Sequence, residues 1–195
     1  MISVIDYDAG NVQSVLKVLD DLKVDYKLTN NEQIIYNSDK IILPDAGEAS
    51  YAMRKLHFKH LAAMLRITKK PVLGICLGMQ ILSDESEDGD TCCLGIVPVK
   101  CLKYDKSLVK VPHIGWNKVN YNISSILFDG IENDSHFYFA NSYYIPVCDF
   151  TLATSVYNIP FSAALQRENF YGVQFLPEKS GEPGIKLLKN FIEKC

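Results

Sequence analysis

The chain has 195 residues, 48% of them apolar and 22% charged, with a net charge of −3. That length suits one domain with a substantial core, and the charge leaves no basic footprint for nucleic acid. No apolar run approaches the roughly 18 residues that cross a bilayer, so no membrane role is expected.

The opening Met1-Ile2-Ser3-Val4-Ile5-Asp6 has neither a basic n-region nor a long apolar h-region and reads directly as a first strand. A cytoplasmic chain is expected, with its six cysteines (76, 92, 93, 101, 148, 195) as reduced thiols. There is no C-x-x-C pair. His57 and His60 fall at i,i+3 on a predicted helix. Without a third ligand nearby they are expected to face solvent, so no metal and no cofactor is expected.

In chain order, Ile2 to Asp6 is a predicted strand. Val12 to Leu22 is a helix with Val12, Val15, Leu16, Leu19 and Leu22 at 3/4 spacing. Tyr26 to Thr29 and Lys40 to Leu43 are strands, the second closed by Pro44. Ala49 to Thr68 holds one or two helices. Pro71 to Ile75 is a buried strand feeding a helix from Cys76 to about Ser83. Strands alternating with helices imply a parallel sheet covered on both faces.

The second half is richer in β patterns: Leu94 to Val99, Trp116 to Val119, Phe137 to Tyr144, Phe150 to Val156, Ser162 to Gln166 and Tyr171 to Phe175. Gly184 to Lys194 is a closing helix. The expected architecture is a single α/β domain over residues 1–195. Its central mixed, mostly parallel sheet is flanked by helices, with a nucleophile turn at Cys76.

The chemistry concentrates in Gly74-Ile75-Cys76-Leu77-Gly78-Met79-Gln80. In an open α/β sheet, sites form at the carboxyl ends of strands. Flanking glycines permit a sharp turn that lifts a side chain out of the sheet, as in a hydrolase elbow. A helix N-terminus favours thiolate, and the N–H of Leu77 points where an oxyanion forms. Equally, cysteine is among the most buried residue types, and a lone G-x-C-x-G also fits a structural thiol. Gln80, one turn on, can bond a substrate beside the sulfur.

The G-I-C-L-G-M-Q run resembles the nucleophile signature of class I glutamine amidotransferases. Asp6-Tyr7-Asp8-Ala9-Gly10-Asn11, Pro112-His113-Ile114-Gly115-Trp116-Asn117, Phe137 to Tyr144, and Gln174-Phe175-Leu176-Pro177-Glu178-Lys179-Ser180 follow in the order of one branch, the glutaminase subunits of imidazole glycerol phosphate synthase. That resemblance spans essentially the whole chain. It implies Cys76 as nucleophile, with Glu178 orienting a histidine, and oxyanion donors at Leu77 and Ala46. It implies glutamine held by Gly47, Gln80 and Asp88, the last on a shorter stem than the family's glutamate, with Ser142 and Tyr143 nearby. It also implies a heterodimer with a (β/α)8 cyclase in histidine biosynthesis, Asn11, His113, Trp116 and Asn117 facing that partner.

Three departures weaken the catalytic expectation. The catalytic histidine of the family motif is Leu176 here, which cannot move a proton. Asp45 occupies the first glycine of the usual P-G-V-G loop, where a carboxylate repels developing negative charge. Asn141 stands where histidine is common. His136 is the remaining histidine near the motif strands. Impaired glutaminase activity is therefore expected. Three other readings stay open: a docking partner without catalysis, an amidotransferase-like subunit for sugar amidation, and an unrelated α/β cysteine hydrolase. Trp116, the only tryptophan, fits either core or interface, and interface is preferred here.

Overall fold

The structure is a computed structural model and describes residues 1–8, 12–45, 47–121 and 124–195. Strands β1 (Ile2–Ile5), β2 (Tyr26–Thr29), β3 (Lys40–Leu43) and β4 (Val72–Ile75) alternate with helices α1 (Gln13–Asp21), α2 (Glu32–Asn37), α3 (Ala49–Phe58) and α4 (Leu61–Ile67). A single turn, α5 (Leu77–Gln80), follows β4. Then come β5 (Ser83–Ser86), β6 (Thr91–Cys92), β7 (Val97–Lys103), β8 (His113–Lys118), β9 (His136–Asn141) and β10 (Tyr143–Tyr144). Strands β11 (Thr151–Tyr157), β12 (Ile159–Arg167) and β13 (Phe170–Val173), and helix α6 (Gly181–Lys194), complete the chain.

The main sheet has seven strands in the order β11-β12-β13-β4-β3-β1-β2. Five run parallel; β12 pairs antiparallel with β13, and β11 with β12. Period-two alternation sorts its side chains between two helical layers. Ile2, Val4, Leu73 and Ile75 pack with Leu19 of α1 and Leu187, Leu188 and Phe191 of α6. Ile5, Ile41, Leu43 and Val72 pack instead with Ala52, Met53 and Leu56 of α3 and Leu65 of α4.

The expected mixed sheet with helices on both faces is present, and two smaller sheets join it. Strands β10-β7-β5-β6 form one, and β8-β9 form a ribbon. The expected helix after Cys76 ends at Gln80, and polar β5 takes its place because its partner β7 is supplied by later chain. The strand expected at Leu94 to Val99 is β7, shifted toward Lys103, and Phe137 to Tyr144 divides at Ser142 into β9 and β10. Helix α2 escaped the periodicity reading. It spans six residues and starts on Asn31, whose Oδ1 accepts from the N–H groups of Gln33 and Ile34. His60 sits at φ 60° between α3 and α4, so His57 and His60 share no helix face.

Candidate active site

Cys76 follows the carboxyl end of β4 with φ 51° and ψ −105°, a strained conformation of the kind stored at functional turns. Glycine is required on either side. A Cβ on Gly78 would lie 2.0 Å from the Leu43 carbonyl oxygen, and one on Gly74 would lie 2.4 Å from that of Gly78. The Cys76 N–H donates to Val173 O at 2.7 Å, and its carbonyl accepts from Met79 and Gln80, both at 3.1 Å. Strands β4 and β13 thus fix the elbow from both sides.

The sulfur is buried. It lies 3.9 Å from the Ala140 carbonyl and accepts from Gln174 Nε2 at 3.6 Å. Gln80 Nε2 donates to Gln174 Oε1 at 3.0 Å and to Tyr143 O at 3.1 Å, locking both amides. Gln174 is the residue that sequence reasoning quoted but gave no role; its position beside the sulfur comes from pairing of β13 with β4.

Burial pushes the Cys76 thiol well above its ordinary range, and the Asp45 carboxylate beside it adds to the rise. A hydrogen bond from the Leu77 backbone works the other way but is outweighed. The expected helix-dipole activation is therefore corrected: α5 is one turn, too short to offset burial and a neighbouring carboxylate.

Glu178 lies in a short 3-10 turn, Pro177–Lys179. Burial raises its carboxyl from 4.5 to about 7, and its Oε2 has no hydrogen-bond partner. Leu176, 3% exposed, packs in the same apolar cluster as Cys76 and offers the carboxyl nothing to bond. Its N–H donates to Tyr138 O at 2.9 Å.

A cavity of about 200 Å³ opens over the sulfur, lined among others by Asp45, Gly47, Leu77, Gln80 and Asp88. Ser142 and Tyr143 complete its far wall. Asp88 Oδ2 accepts from Ala49 N at 2.8 Å, and Gly47 takes φ 88°. The residues expected around glutamine are thus brought to one place. Ala46, an expected oxyanion donor, lies outside the described residues.

The sequence profile of class I glutamine amidotransferases matches residues 3–195. The chain belongs to this family. The amidotransferase is 43% identical over 194 residues to "Imidazole glycerol phosphate synthase subunit HisH" of Bacteroides thetaiotaomicron, covering 98% of each chain. It is 42% identical over 193 residues to the protein of the same name from Haemophilus influenzae, covering 99% of this chain and 97% of that one. Among solved structures, a glutamine amidotransferase superposes with TM-score 0.77 at 14% identity, covering 98% of this chain and 97% of that one. PurLQS from Thermotoga maritima superposes at 0.74 with 18% identity, covering 98% and 96%. At those identities the likeness is one of fold. Family membership removes the unrelated-hydrolase reading.

The expected docking residues of the amidotransferase separate by strand alternation on β8. Trp116 and Ile114 are 56% and 63% exposed and share the outer face, Trp116 standing edge-on to Tyr138. His113 points the other way. It is buried between Tyr157, at 4.0 Å ring separation, and Phe139, at 5.0 Å, and burial lowers its pKa to about 4. Its ring is thus packed inside the domain, on the face of β8 opposite Trp116. Asn117 is half-buried, donating from Nδ2 to Val156 O at 2.9 Å, and Asn11 lies outside the described residues. His136 is exposed at the far end of β9 from Ala140, four residues or about 13 Å of strand away. It is not brought to Cys76. Among the described residues, no helix is long and apolar enough to cross a membrane, and no group of three or more His, Cys, Asp or Glu gathers to hold a metal. All six cysteines are free.

Proposed function

We propose that residues 1–195 act as one amidotransferase domain of an imidazole glycerol phosphate synthase, paired with a (β/α)8 cyclase, and that its own hydrolysis of glutamine is impaired. In this reading Cys76 attacks the carboxamide carbon of glutamine, and the N–H groups of Leu77 and Ala46 receive the oxyanion. Gly47, Gln80, Asp88, Ser142 and Tyr143 hold the amino-acid end. Ammonia leaves once its nitrogen takes a proton, and water then releases glutamate from the thioester. The partner receives the ammonia across the Ile114–Trp116 face.

The observation that carries the impairment is Leu176. The thiol needs a base to become thiolate, and the leaving nitrogen needs an acid. A positioned base contributes about 10²–10⁴ in rate, and no histidine among the described residues reaches the sulfur. Asp45 compounds the loss, since its charge disfavours both thiolate and oxyanion. A docking subunit whose partner draws ammonia from solution is the second reading, favoured by that same carboxylate.

The test is glutamate release from glutamine by this chain mixed with its cyclase, with ammonium chloride as the alternative nitrogen source. The expected result is product formation from ammonium and little or none from glutamine. Brisk, partner-stimulated glutamine turnover by the native chain overturns the impairment.

A further inference from the structure

The Cys76 cavity carries charge of one sign only. Asp45 and Asp88 are the charged residues of its described lining, which includes no Lys, Arg or His. Asp88 accepts from Ala49 N at 2.8 Å and from the Tyr143 hydroxyl. A carboxylate offers about four lone-pair sites, so Asp88 keeps capacity for a substrate ammonium as well. Free glutamine also carries an α-carboxylate. That group enters a space whose fixed charges repel it, and taking it out of water without a cation is costly.

A cation stands at the wall of this cavity. Lys103 of β7 is the cross-strand partner of Tyr143 of β10, so the two side chains leave their small sheet on the same face. The Lys103 Nζ lies 5.5 Å from the centroid of the Tyr143 ring, and Tyr143 lines the cavity. One tyrosine thus carries an anion at its hydroxyl and a cation over its ring. Lys103 is exposed, and among the described residues its ammonium makes no ion pair. Glu87, the carboxylate beside it, accepts instead from the Lys103 backbone N–H at 2.8 Å. Unpaired lysines are ordinary on a protein surface. Stacking on a ring of the cavity wall sets this one apart.

We propose that Lys103 is a substrate-binding residue, receiving the α-carboxylate of free glutamine while Asp88 receives the α-ammonium. The flexible four-carbon stem lets the ammonium swing from the ring to the ligand. The inference rests on the reading that this cavity holds glutamine by its amino-acid end, and deepens it by naming the substrate class. The ligand is an amino acid with both charges free, and not a glutamine whose carboxyl is amidated or joined in a peptide. Because Lys103 is exposed, solvent screens the pair and the expected effect is about tenfold.

The full-length chain, labelled with nitrogen-15, is titrated with L-glutamine and with L-glutaminamide, which keeps the ammonium and side chain but lacks the carboxylate. The expected result is saturable movement of the Leu77, Gly78 and Ser142 amides, with glutaminamide binding about tenfold more weakly. Lys103→Met is expected to weaken glutamine about tenfold and leave glutaminamide within about twofold, whereas Lys103→Arg retains glutamine binding. Equal affinity of the native chain for the two ligands overturns the proposal without any variant. So does a Lys103→Met variant that binds glutamine as the native chain does, or one that loses both ligands alike, which marks a merely structural role. These outcomes leave the parent reading standing. Only a native chain that glutamine does not perturb overturns both.

Discussion

Leu176→His puts an imidazole between a thiol that lacks a base and a buried carboxyl that lacks a partner. On the stability side, losing the burial of a leucine costs about 1.5–3 kcal/mol. A hydrogen bond from imidazole N–H to Glu178 Oε2, unpartnered in the native chain, returns about 1.5–3 kcal/mol because one member is charged. The two nearly cancel, so urea unfolding is expected to shift by no more than about 2 kcal/mol. On the catalytic side, a base in place is worth about 10²–10⁴ in glutamine turnover. Asp45 opposes part of that gain, and residues acting as a unit are non-additive. Leu176→His combined with Asp45→Gly is therefore expected to exceed the product of the single effects. The assay is glutamate release in the presence of the cyclase partner, across pH 6 to 9. If the folded double variant is no faster than the native chain, the missing histidine is not what limits this site and the reasoning fails.

Two buried groups give opposed pH dependences. Glu178 is raised from 4.5 to about 7, so the stability of its neutral form is complete below pH 4.5 and lost as pH rises through 7, by roughly 3 kcal/mol. Glu178→Gln should remove that loss, and urea midpoints at pH 5 and 8 check it. His113 is lowered from 6.5 to about 4, so its contribution is complete above pH 6.5 and lost as pH falls through 4, again by roughly 3 kcal/mol. His113→Phe should flatten that acid limb, whereas the native chain shows the two slopes partly cancelling between pH 4.5 and 6.5. Gly78→Ala drives a methyl into the Leu43 carbonyl and is expected to destabilise by at least about 1–3 kcal/mol, read as a lower thermal midpoint. Trp116→Ala should leave stability within about 0.5 kcal/mol, because the ring is exposed, yet weaken partner binding tenfold or more by titration calorimetry.

Much of the fold and the location of the site are legible in the chain itself. The parallel strands announce themselves as short apolar runs, α1 as a 3/4 stripe, and the elbow as glycines spaced around Cys76, because these patterns are local consequences of backbone period and steric room. The absence of a histidine at position 176 is likewise a fact of the sequence. Other features depend on residues distant along the chain. The state of the Cys76 thiol is set by burial and by Asp45, arriving from another strand end, and these override the local helix turn that alone suggested a thiolate. Strand β5, polar throughout, becomes a strand because β7 pairs with it. His113 and Trp116 stand three residues apart in one motif, yet pleating sends one into an aromatic stack and the other to the surface. Charge and burial over Cys76 are sums over neighbours that only the folded chain brings together, so the tertiary structure alone decides what state the thiol is in.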